Sequence, residues 1–334
     1  MKFTVLITTY NRADHLRRTL ESLAGVSCSH AWEVNIVDNN SSDETKSVVT
    51  SSQNGFPVPL TYLFEPTQGK PAALNTGIRH SRGAIIAMTD DDVRVEPDWL
   101  EKCAEGFARF DCDYVGGRVL PMWESEPPRW FRNRRGRQWA VIALLDYGRT
   151  PVEVGCDGVG WPLGANMAVK ADAFDRAGLW DNRFGRQGNT LRGQEQRDWC
   201  LRARAAGLRG YYLPEMLVHH HVPKARLTKH YFRDWFYWNG ISRAILYDKL
   251  GLDMDSPDES IIDYGRVHHI AGVPRYMWRS ALATGGAMIK AALQGEPAKA
   301  FEHELSLWFF AGVVRQRWRD RSHGARRESV VVGR

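Results

Sequence analysis

The sequence predicts an α/β protein with a mostly parallel central sheet, followed by a C-terminal helical region. Three observations lead to this fold class. Apolar runs rich in β-branched residues alternate with helical patterns over residues 3–120, polar residues follow the end of each early run, and helical spacing dominates after residue 226. We therefore predict two domains, residues 1–225 and residues 226–334.

The predicted elements follow one another regularly through the first domain. The strand FTVLITT is followed by a helix that places Leu16, Leu20 and Leu23 at helical spacing. Then come a strand at EVNIVD, a polar helix near residues 43–52, a strand at LTYLFE, a helix at KPAALNTGIRHS and a strand at AIIAMTD. A Pro-, Trp- and Arg-rich excursion over residues 121–165 precedes strands near VEVG and GANMAVK, and GYYLPEMLVHHHV is the last strand.

Composition limits the classes of function. The 334 residues carry 45 Lys and Arg against 39 Asp and Glu, and the net charge of +6 favours an anionic partner. Nucleic acid is not predicted, because no nucleic-acid-binding motif is present. The five cysteines are scattered without a CxxC pair, which disfavours a disulfide framework or a zinc site and is typical of a reducing cytosol. No segment offers the roughly 20 apolar residues of a spanning helix.

Polar residues follow three of the predicted strands. In parallel sheets, ligands bind outside the carboxyl ends of the strands, so these residues should line one crevice. The first strand ends with Thr9, Tyr10 and Asn11, the second with Asp38, Asn39 and Asn40, and the fourth with Asp90, Asp91 and Asp92.

The three consecutive aspartates favour a divalent cation site. Packed carboxylates repel one another unless a cation or a row of donors neutralises them, and Mg²⁺ or Mn²⁺ suits one or two carboxylates plus substrate phosphates. The alternative is capping of the next helix, by Asp98 or by the step from Glu96 to Pro97, but this accounts for only one aspartate.

Six motifs in order resemble those of the family 2 inverting glycosyltransferases, which have the GT-A fold. They are TTYNR (8–12), VDNNSSD (37–43), GKPAALNTG (69–77), TDDD (89–92), PLGANMAV (162–169) and RGQEQRDWCLRARAAG (192–207), and the resemblance covers about residues 3–223. It implies a nucleotide-sugar-binding catalytic domain over residues 1–225.

The resemblance implies a donor site and a metal site. Asp92 would hold Mg²⁺ or Mn²⁺ against the diphosphate, Asp90 would lie near the ribose, and Asp38 would face a uracil ring, which makes UDP the expected nucleotide. His220 in VHHHVP would complete the metal site, with a packed histidine as the alternative. The predicted nucleotide-sugar-binding residues are Thr9, Tyr10, Asn11, Arg12, Asp38, Asn40, Lys70, Asn75, Asp90 and Asp91.

Two of these residues have simpler explanations. Asp38, among asparagines and a serine, could instead form an Asx turn. Lys70 follows Gly69 on a loop that opens a helix, where a cation and free backbone N–H groups can receive phosphate, but it could also be an ordinary surface lysine.

An inverting transfer also needs a base for the acceptor hydroxyl. The family places a Glu-Asp pair at the start of a helix, and here the matching residues are Glu195 and Gln196, followed by Asp198. We predict that Glu195 is the base. Asp198 is the alternative, although its position suggests a charge that stabilises the helix N-terminus. The resemblance assigns the acceptor side to Trp161, Gly164, Ala165 and Asn166, with a core position as the alternative for the tryptophan.

Rival functions lack their motifs. A nucleotidyltransferase would have a glycine-rich loop after the first strand and a nicotinamide enzyme would have GxGxxG there, whereas TTYNRADH contains no glycine. A sugar-nucleotide-binding protein without catalysis is the stronger alternative, because Gln196 replaces a carboxylate.

The C-terminal region predicts attachment to a membrane surface. Tyr231, Trp235 and Trp238 recur at helical spacing, as do Phe301, Leu305, Trp308 and Gly312, and basic residues accompany both stripes. Faces that pack on each other are the alternative. Mixed tryptophan and arginine are typical of interfacial helices, so we expect a cytoplasmic enzyme on the inner membrane that glycosylates a glycan or a lipid-linked saccharide. The acceptor's phosphates would suit Arg129, Arg132, Arg134, Arg135 and Arg137.

Overall fold

The computed structural model of this chain describes residues 2–131, 137–155, 160–188, 190–251 and 267–322, without the side chains of residues 137 and 322. The chain divides into two compact units. The first unit comprises Met1–Glu126, Arg134–Gly188 and Glu195–Lys224, and the second comprises Pro127–Asn133, Asn189–Gln194 and Ala225–Arg334.

The first unit alternates strands and helices. Its strands are β1 (Lys2–Thr9), β2 (Ala31–Asp38), β3 (Leu60–Phe64), β4 (Ile85–Asp90), β5 (Val93–Val95), β6 (Tyr114–Trp123), β7 (Val152–Glu153), β8 (Asn166–Lys170) and β9 (Gly210–Val222). Its helices are α1 (Ala13–Ala24), α2 (Thr45–Gln53), α3 (Lys70–His80), α4 (Trp99–Arg109), α5 (Arg137–Val141), α6 (Ala173–Ala177) and α7 (Glu195–Ala205).

These strands form one sheet in the order β3-β2-β1-β4-β8-β6-β9-β5, with β7 paired to β9. The four strands from β3 to β4 are parallel, whereas β8 is antiparallel to both β4 and β6. Phe3, Val5, Leu6 and Ile7 of β1 are fully buried, as expected for a central strand covered on both faces. The predicted α/β class with a parallel central sheet is confirmed.

Aromatic packing fixes the helix that carries the predicted base. Trp199 of α7 is fully buried, and its ring lies 5.5 Å from Tyr114 and 5.6 Å from Trp180 between centroids. Glu195 begins the same helix one turn earlier. A rotamer-locked tryptophan therefore holds the first turn of α7 against the core.

The sequence did not indicate β6, which runs into the predicted excursion as far as Trp123. Glycines and a proline interrupt its apolar pattern, and both residue types are rare within strands. Gly117 is required there, because a Cβ at this position would lie 1.9 Å from Met216 O.

The second unit is mostly helical. Its helices are α8 (Lys229–Leu250), α9 (Arg275–Leu293) and α10 (Pro297–Ser322). It also contains the two-stranded pair of β10 (His269–Ile270) and β11 (Val273–Pro274) and a 3-10 turn at Arg129–Phe131. Along the chain, a second 3-10 turn at Lys224–Arg226 leads from the first unit into the second. Glycines allow α8 and α10 to cross closely. A Cβ on Gly240 would lie 2.0 Å from Phe309 O, and one on Gly312 would lie 2.0 Å from Tyr237 O.

The predicted stripe on α8 is wrong by one residue. Phe232, Phe236 and Gly240 are buried, whereas Tyr231, Trp235 and Trp238 are only partly covered. The reason is that aromatics occupy both faces of this helix, and the glycine decides which face packs. On α10, Phe301 and Leu305 are buried as predicted, but Trp308 is 40% exposed. None of the helices within the described ranges is long and apolar enough to cross a membrane.

Candidate active site

The ends of three parallel strands meet at one edge of the sheet. The register of β1 and β2 aligns Thr9 with Asp38, and β4 is the other neighbour of β1. Beyond the strands, Thr9 Oγ1 donates to Asp91 Oδ2 over 2.8 Å, and Asn39 N donates to Thr9 O over 2.9 Å. The structure therefore brings the predicted polar residues of these strands together where α/β sheets bind ligands.

Asp91 and Asp92 are both buried, and Arg12 bridges them. Arg12 Nη1 lies 3.0 Å from Asp91 Oδ1 and 2.7 Å from Asp92 Oδ2. Burial raises the pKa of Asp91 to about 6, an effect that Arg12 opposes and the charge of Asp92 reinforces. The pKa of Arg12 is raised in turn, although its own burial acts in the opposite direction. The guanidinium thus holds two buried carboxylates close together.

Asp92 and His220 could hold a divalent cation together. His220 lies opposite Val93 in the pairing of β9 with β5, and its Nε2 lies 3.3 Å from Asp92 Oδ1. Across the described ranges, no group of three or more His, Cys, Asp or Glu residues could hold a metal ion. One carboxylate and one imidazole fit an ion that takes its remaining ligands from water and phosphate oxygens, as Mn²⁺ and Mg²⁺ do.

The other two aspartates of the run have protein partners. Asp90 forms an ion pair with Lys70 Nζ, and Asp91 accepts from Thr9 and Arg12. Asp92 also accepts from Arg12. Only Asp92 also lies beside the imidazole.

Lys70 connects the aspartates to the predicted base. It begins α3 after Gly69, whose φ of 141° is accessible to glycine. Burial acts to lower the pKa of Lys70, but the carboxylates of Asp90 and Glu195 raise it overall. The lysine is thus a partly buried ion-pair partner and not an ordinary surface residue, since only 23% of its side chain is exposed.

Asp38 is almost fully buried and bonded on both oxygens. Ser41 N donates to Oδ1 and the Tyr62 hydroxyl donates to Oδ2, each over 2.8 Å. The bond to Ser41 is the turn-forming interaction that was the alternative explanation for this residue. Burial and the carboxylate of Asp38 raise the pKa of Tyr62.

Two predicted donor-binding side chains are open to solvent beside this turn. Tyr10 is 44% exposed, and Asn40 is exposed with a φ of 66°. Asn11 also has a positive φ, of 52°, and its Oδ1 accepts from Ser42 N over 2.7 Å. Asn11 therefore joins the end of β1 to the loop after β2, while Tyr10 and Asn40 remain accessible to a ligand.

Asn75 is used within the protein. Its Nδ2 donates to Trp180 O, and Trp180 N donates to its Oδ1, both over 2.9 Å. The residue is buried on α3. The amide is engaged by the backbone of Trp180, and a donor-binding role for Asn75 stays a prediction.

Glu195 begins α7 with an oxygen that is available for chemistry. The side chain is 6% exposed, and its Oε1 accepts from Gln196 Nε2 over 2.8 Å. Its other oxygen, Oε2, is buried and has no hydrogen-bond partner among the described residues. A buried acceptor without a donor is energetically unfavourable and is expected where a substrate hydroxyl binds.

Asp198 has a different environment. It is fully buried, and its Oδ2 lies 3.0 Å from Arg202, whose Nη2 also donates to Leu179 O. The carboxylate therefore serves an internal ion pair. Asp198 also lies in the first turn of α7, where the sequence placed a charge that stabilises the helix N-terminus.

Gly164 and Trp161 are partly buried on the predicted acceptor side, and Trp161 packs against the hydrophobic core. A Cβ on Gly164 would lie 2.5 Å from Gln196 Nε2, so glycine allows the amide to reach Glu195. Trp161 is partly exposed, and the Arg204 guanidinium lies 5.4 Å from its ring centroid. Both residues can contact a ligand from the surface.

Ala165 and Asn166 belong to the core. Ala165 is 2% exposed, and its carbonyl accepts from Thr89 Oγ1 over 2.8 Å. Asn166 is fully buried, donates to the carbonyls of Arg118 and Met216, and accepts from Trp99 Nε1. Its amide is satisfied by these bonds inside the protein, and contact of Asn166 with the acceptor stays a prediction.

The sequence did not indicate a second set of residues next to Asp92. The ring of His15 on α1 lies 5.0 Å from that of His221 between centroids, at a tilt of 44°, and both border a cavity of about 410 Å³ that Asp92 also lines. Thr19, one turn further along α1, donates to Asp91 O over 2.8 Å. The signal was present in the helical spacing of Arg12, His15 and Thr19, which puts them on one face.

Two family models match the chain. The model described as Glycosyl transferase family 2 matches residues 4–160, and the model described as Glycosyl transferase family group 2 matches residues 85–292. A similar curated protein is the glucosyl-dolichyl phosphate glucuronosyltransferase of Haloferax volcanii. It is 25% identical over 259 residues, which cover 74% of this chain and 77% of the relative.

Solved structures share the fold over nearly the whole chain. One is the mannosyltransferase PcManGT from Pyrobaculum calidifontis, in complex with GDP-Man and Mn²⁺, with a TM-score of 0.61 at 19% sequence identity. The match covers 95% of this chain and 87% of the mannosyltransferase chain. Another is S. aureus TarS 1-349 in complex with UDP, with a TM-score of 0.51 at 14% sequence identity. That match covers 97% of this chain and 92% of the TarS chain.

Proposed function

Because the chain belongs to the family 2 glycosyltransferases, we propose that it is an inverting, metal-dependent transferase that moves a sugar from a nucleotide sugar, with UDP as the predicted nucleotide. The observation that carries this proposal is the position of Lys70. It pairs with Asp90 and is close enough to Glu195 for that carboxylate to raise its pKa. The aspartates at the donor end and the predicted base thus belong to one site.

Donor binding is proposed for the residues at the ends of β1, β2 and β4. Tyr10 and Asn40 are accessible for the nucleoside, and Asp92 with His220 would hold Mn²⁺ or Mg²⁺. When bound, the ion would stabilise the negative charge that develops on the leaving diphosphate. The structural neighbour with GDP-Man and Mn²⁺ supports the use of a divalent ion.

Glu195 is proposed as the base that accepts the acceptor hydroxyl's proton. Gln196 fixes one carboxylate oxygen, so the other oxygen can point at the substrate in a single orientation. Lys70 supplies positive charge near this carboxylate, since the charge of Glu195 raises the pKa of the lysine.

The acceptor is proposed to be a glycan or a lipid-linked saccharide, reached by an enzyme attached to the cytoplasmic face of a membrane. The Haloferax volcanii relative is named for glucosyl-dolichyl phosphate, which is a lipid-linked sugar. In the arginine cluster proposed for the acceptor's phosphates, Arg129 is exposed. Arg132, Arg134 and Arg135 lie outside the described residues, as does the side chain of Arg137.

Turnover with a panel of sugar nucleotides tests the proposal. We expect hydrolysis or transfer that requires Mn²⁺ or Mg²⁺, with inversion at the anomeric carbon. Retention of configuration would contradict the proposed mechanism. Binding of sugar nucleotides without any turnover, across a broad set of glycan and lipid-phosphate acceptors, would instead establish the alternative, a binding protein of the same fold.

A further inference from the structure

Helix α9 exposes a continuous apolar face. Leu282 is 78% exposed, Ile289 is 58% exposed and Leu293 is 85% exposed. Gly286 lies between them on the same face, and a Cβ there would meet nothing within 4 Å among the described residues. Large aliphatic side chains are seldom this exposed side by side on a protein surface that faces only water.

The opposite face of α9 is already occupied within the second unit. Met277 and Ala291 are buried on that face, and at the edge of the exposed stripe Trp278, four residues before Leu282, packs edge-on against Phe310 of α10 with 5.0 Å between ring centroids. The exposed leucines and isoleucine therefore do not form the contact of α9 with its helical neighbour. They constitute a second, separate surface, which we call the α9 face.

Positive charge extends the α9 face at its N-terminal end and flanks it near its C-terminal end. Arg275 and Arg279 continue the stripe of Leu282, Gly286, Ile289 and Leu293, each three or four residues from the next, and Lys290 lies beside it. All three basic residues are exposed. The sequence of α9, RYMWRSALATGGAMIKAAL, contains no aspartate or glutamate. An apolar stripe between cations, without any acid, is complementary to apolar chains beneath anionic headgroups.

We infer that the α9 face is a membrane-docking surface, which lies in the interface of an anionic phospholipid bilayer with its leucines and isoleucine among the acyl chains. A second copy of this chain is a poorer occupant, because an α9 helix offers no carboxylate to the three cations of its partner. The helix has 19 residues and is not apolar enough to span the bilayer, so it would lie along the surface. The biological purpose of membrane docking rests on the proposed lipid-linked acceptor. Its physical basis, the exposed apolar stripe and the cations of α9, does not.

Vesicle sedimentation of the full chain tests the docking surface. We expect the protein to sediment with vesicles of equal parts phosphatidylglycerol and phosphatidylcholine, and much less with phosphatidylcholine alone. A variant with Leu282→Gln, Ile289→Gln and Leu293→Gln should bind at least about tenfold more weakly, since each loses buried apolar area. Wild-type affinity in this variant would overturn the inference.

A charge variant provides an independent arm with a matched control. Replacing Arg275, Arg279 and Lys290 by Gln should weaken binding to the anionic vesicles about tenfold or more and flatten its salt dependence. The control replaces Arg17, Arg82 and Arg109, which are exposed on the first unit, and removes the same net charge. If both variants lose the same amount of vesicle binding, the loss is explained by net charge alone, and the docking surface is refuted.

Two further measurements separate the alternatives. Light scattering of wild type and the apolar variant should show the same mass, whereas a dimer that the variant converts to a monomer would mean that a second copy covers the face. Thermal shifts with UDP and Mn²⁺ should be equal in all variants. Vesicle binding without any nucleotide effect would refute the proposed function and leave the docking surface standing.

Discussion

The carboxylates after β4 and the carboxylate at the start of α7 differ in how the chain compensates their charge. Asp90 pairs with Lys70, and Arg12 bridges Asp91 and Asp92. Glu195 instead receives one neutral amide bond from Gln196, and its second oxygen has no hydrogen-bond partner among the described residues. A carboxylate paired with a cation is suited to hold charge, whereas one with an oxygen that lacks a hydrogen-bond donor is suited to accept a proton.

The largest effect is expected at the start of α7. Glu195→Gln should lower transfer by about 10²–10⁴-fold, because the amide cannot accept the hydroxyl proton. Donor affinity should remain close to wild type, since the carboxylate acts on the acceptor. Steady-state kinetics and nucleotide titration measure the two quantities.

Asp198→Asn is the matched comparison for Glu195→Gln. It breaks the buried pair with Arg202, so it should lower the unfolding temperature while the folded fraction still turns over. If the folded Asp198→Asn protein is inactive and Glu195→Gln retains turnover, the base has been placed three residues too early.

The next effect is expected among the aspartates. Asp92→Ala should weaken Mn²⁺-dependent binding of UDP about a hundredfold or more, whereas uridine should still bind weakly through the residues near Asp38. His220→Ala should have a smaller effect, of about tenfold, because the carboxylate remains. Calorimetric titration with and without Mn²⁺ provides the measurement. Equal UDP affinity in wild type and Asp92→Ala would refute the metal site, and an unchanged Mn²⁺ titration in His220→Ala would make that histidine a packing residue.

A smaller effect should come from Gln196, which distinguishes this chain from the family's Glu-Asp pair. Gln196→Glu would put a second negative charge next to Glu195 and disfavour ionisation of the pair. The acidic limb of the profile of transfer against pH should therefore move to higher pH, with donor affinity unchanged. An acidic limb that does not move would show that Gln196 has no influence on the base.

The smallest effect concerns the stability of the metal-free protein. The pKa of Asp91 rises from 3.8 to about 6 on folding, so the native state binds this proton more tightly than the unfolded chain. The contribution of Asp91 to the free energy of unfolding should therefore decrease as pH rises from about 4 to 6 and stay constant above. Urea unfolding of wild type and Asp91→Asn across this window should show a widening difference in favour of the variant. A constant difference would refute the shift.

The comparison of these two regions also shows what the sequence could predict. The positions of Thr9, Asp38 and Asp90 followed from apolar runs that end in polar residues, and parallel neighbours necessarily bring such ends together. The pairing of Arg12 with Asp91 and Asp92 could not be predicted, because it joins residues about 80 positions apart. The residue types alone do not show which arginine will pair with which aspartates so far apart in the sequence.

Polar residues of the core show the same limit. Asparagine is a residue type that often binds ligands, yet the side-chain amides of Asn75 and Asn166 are already hydrogen-bonded inside the protein. An asparagine that closes a loop and one that binds a sugar are indistinguishable in a motif. The prediction of the packed face of α8 was wrong for a related reason. Aromatic residues recur at helical spacing from both Tyr231 and Phe232, and only Gly240 distinguishes the face that packs.

The crossing of α8 and α10 has a consequence for how this protein can change over generations. Gly240 and Gly312 each face the other helix's backbone at a distance that excludes a single methyl group. A backbone oxygen cannot rotate away as a side chain can, so even alanine would have to push the helices apart, at about 1–3 kcal/mol for each substitution. In a library that varies both positions, selection for folded protein should return glycine at each. The two sites therefore have almost no neutral substitutions.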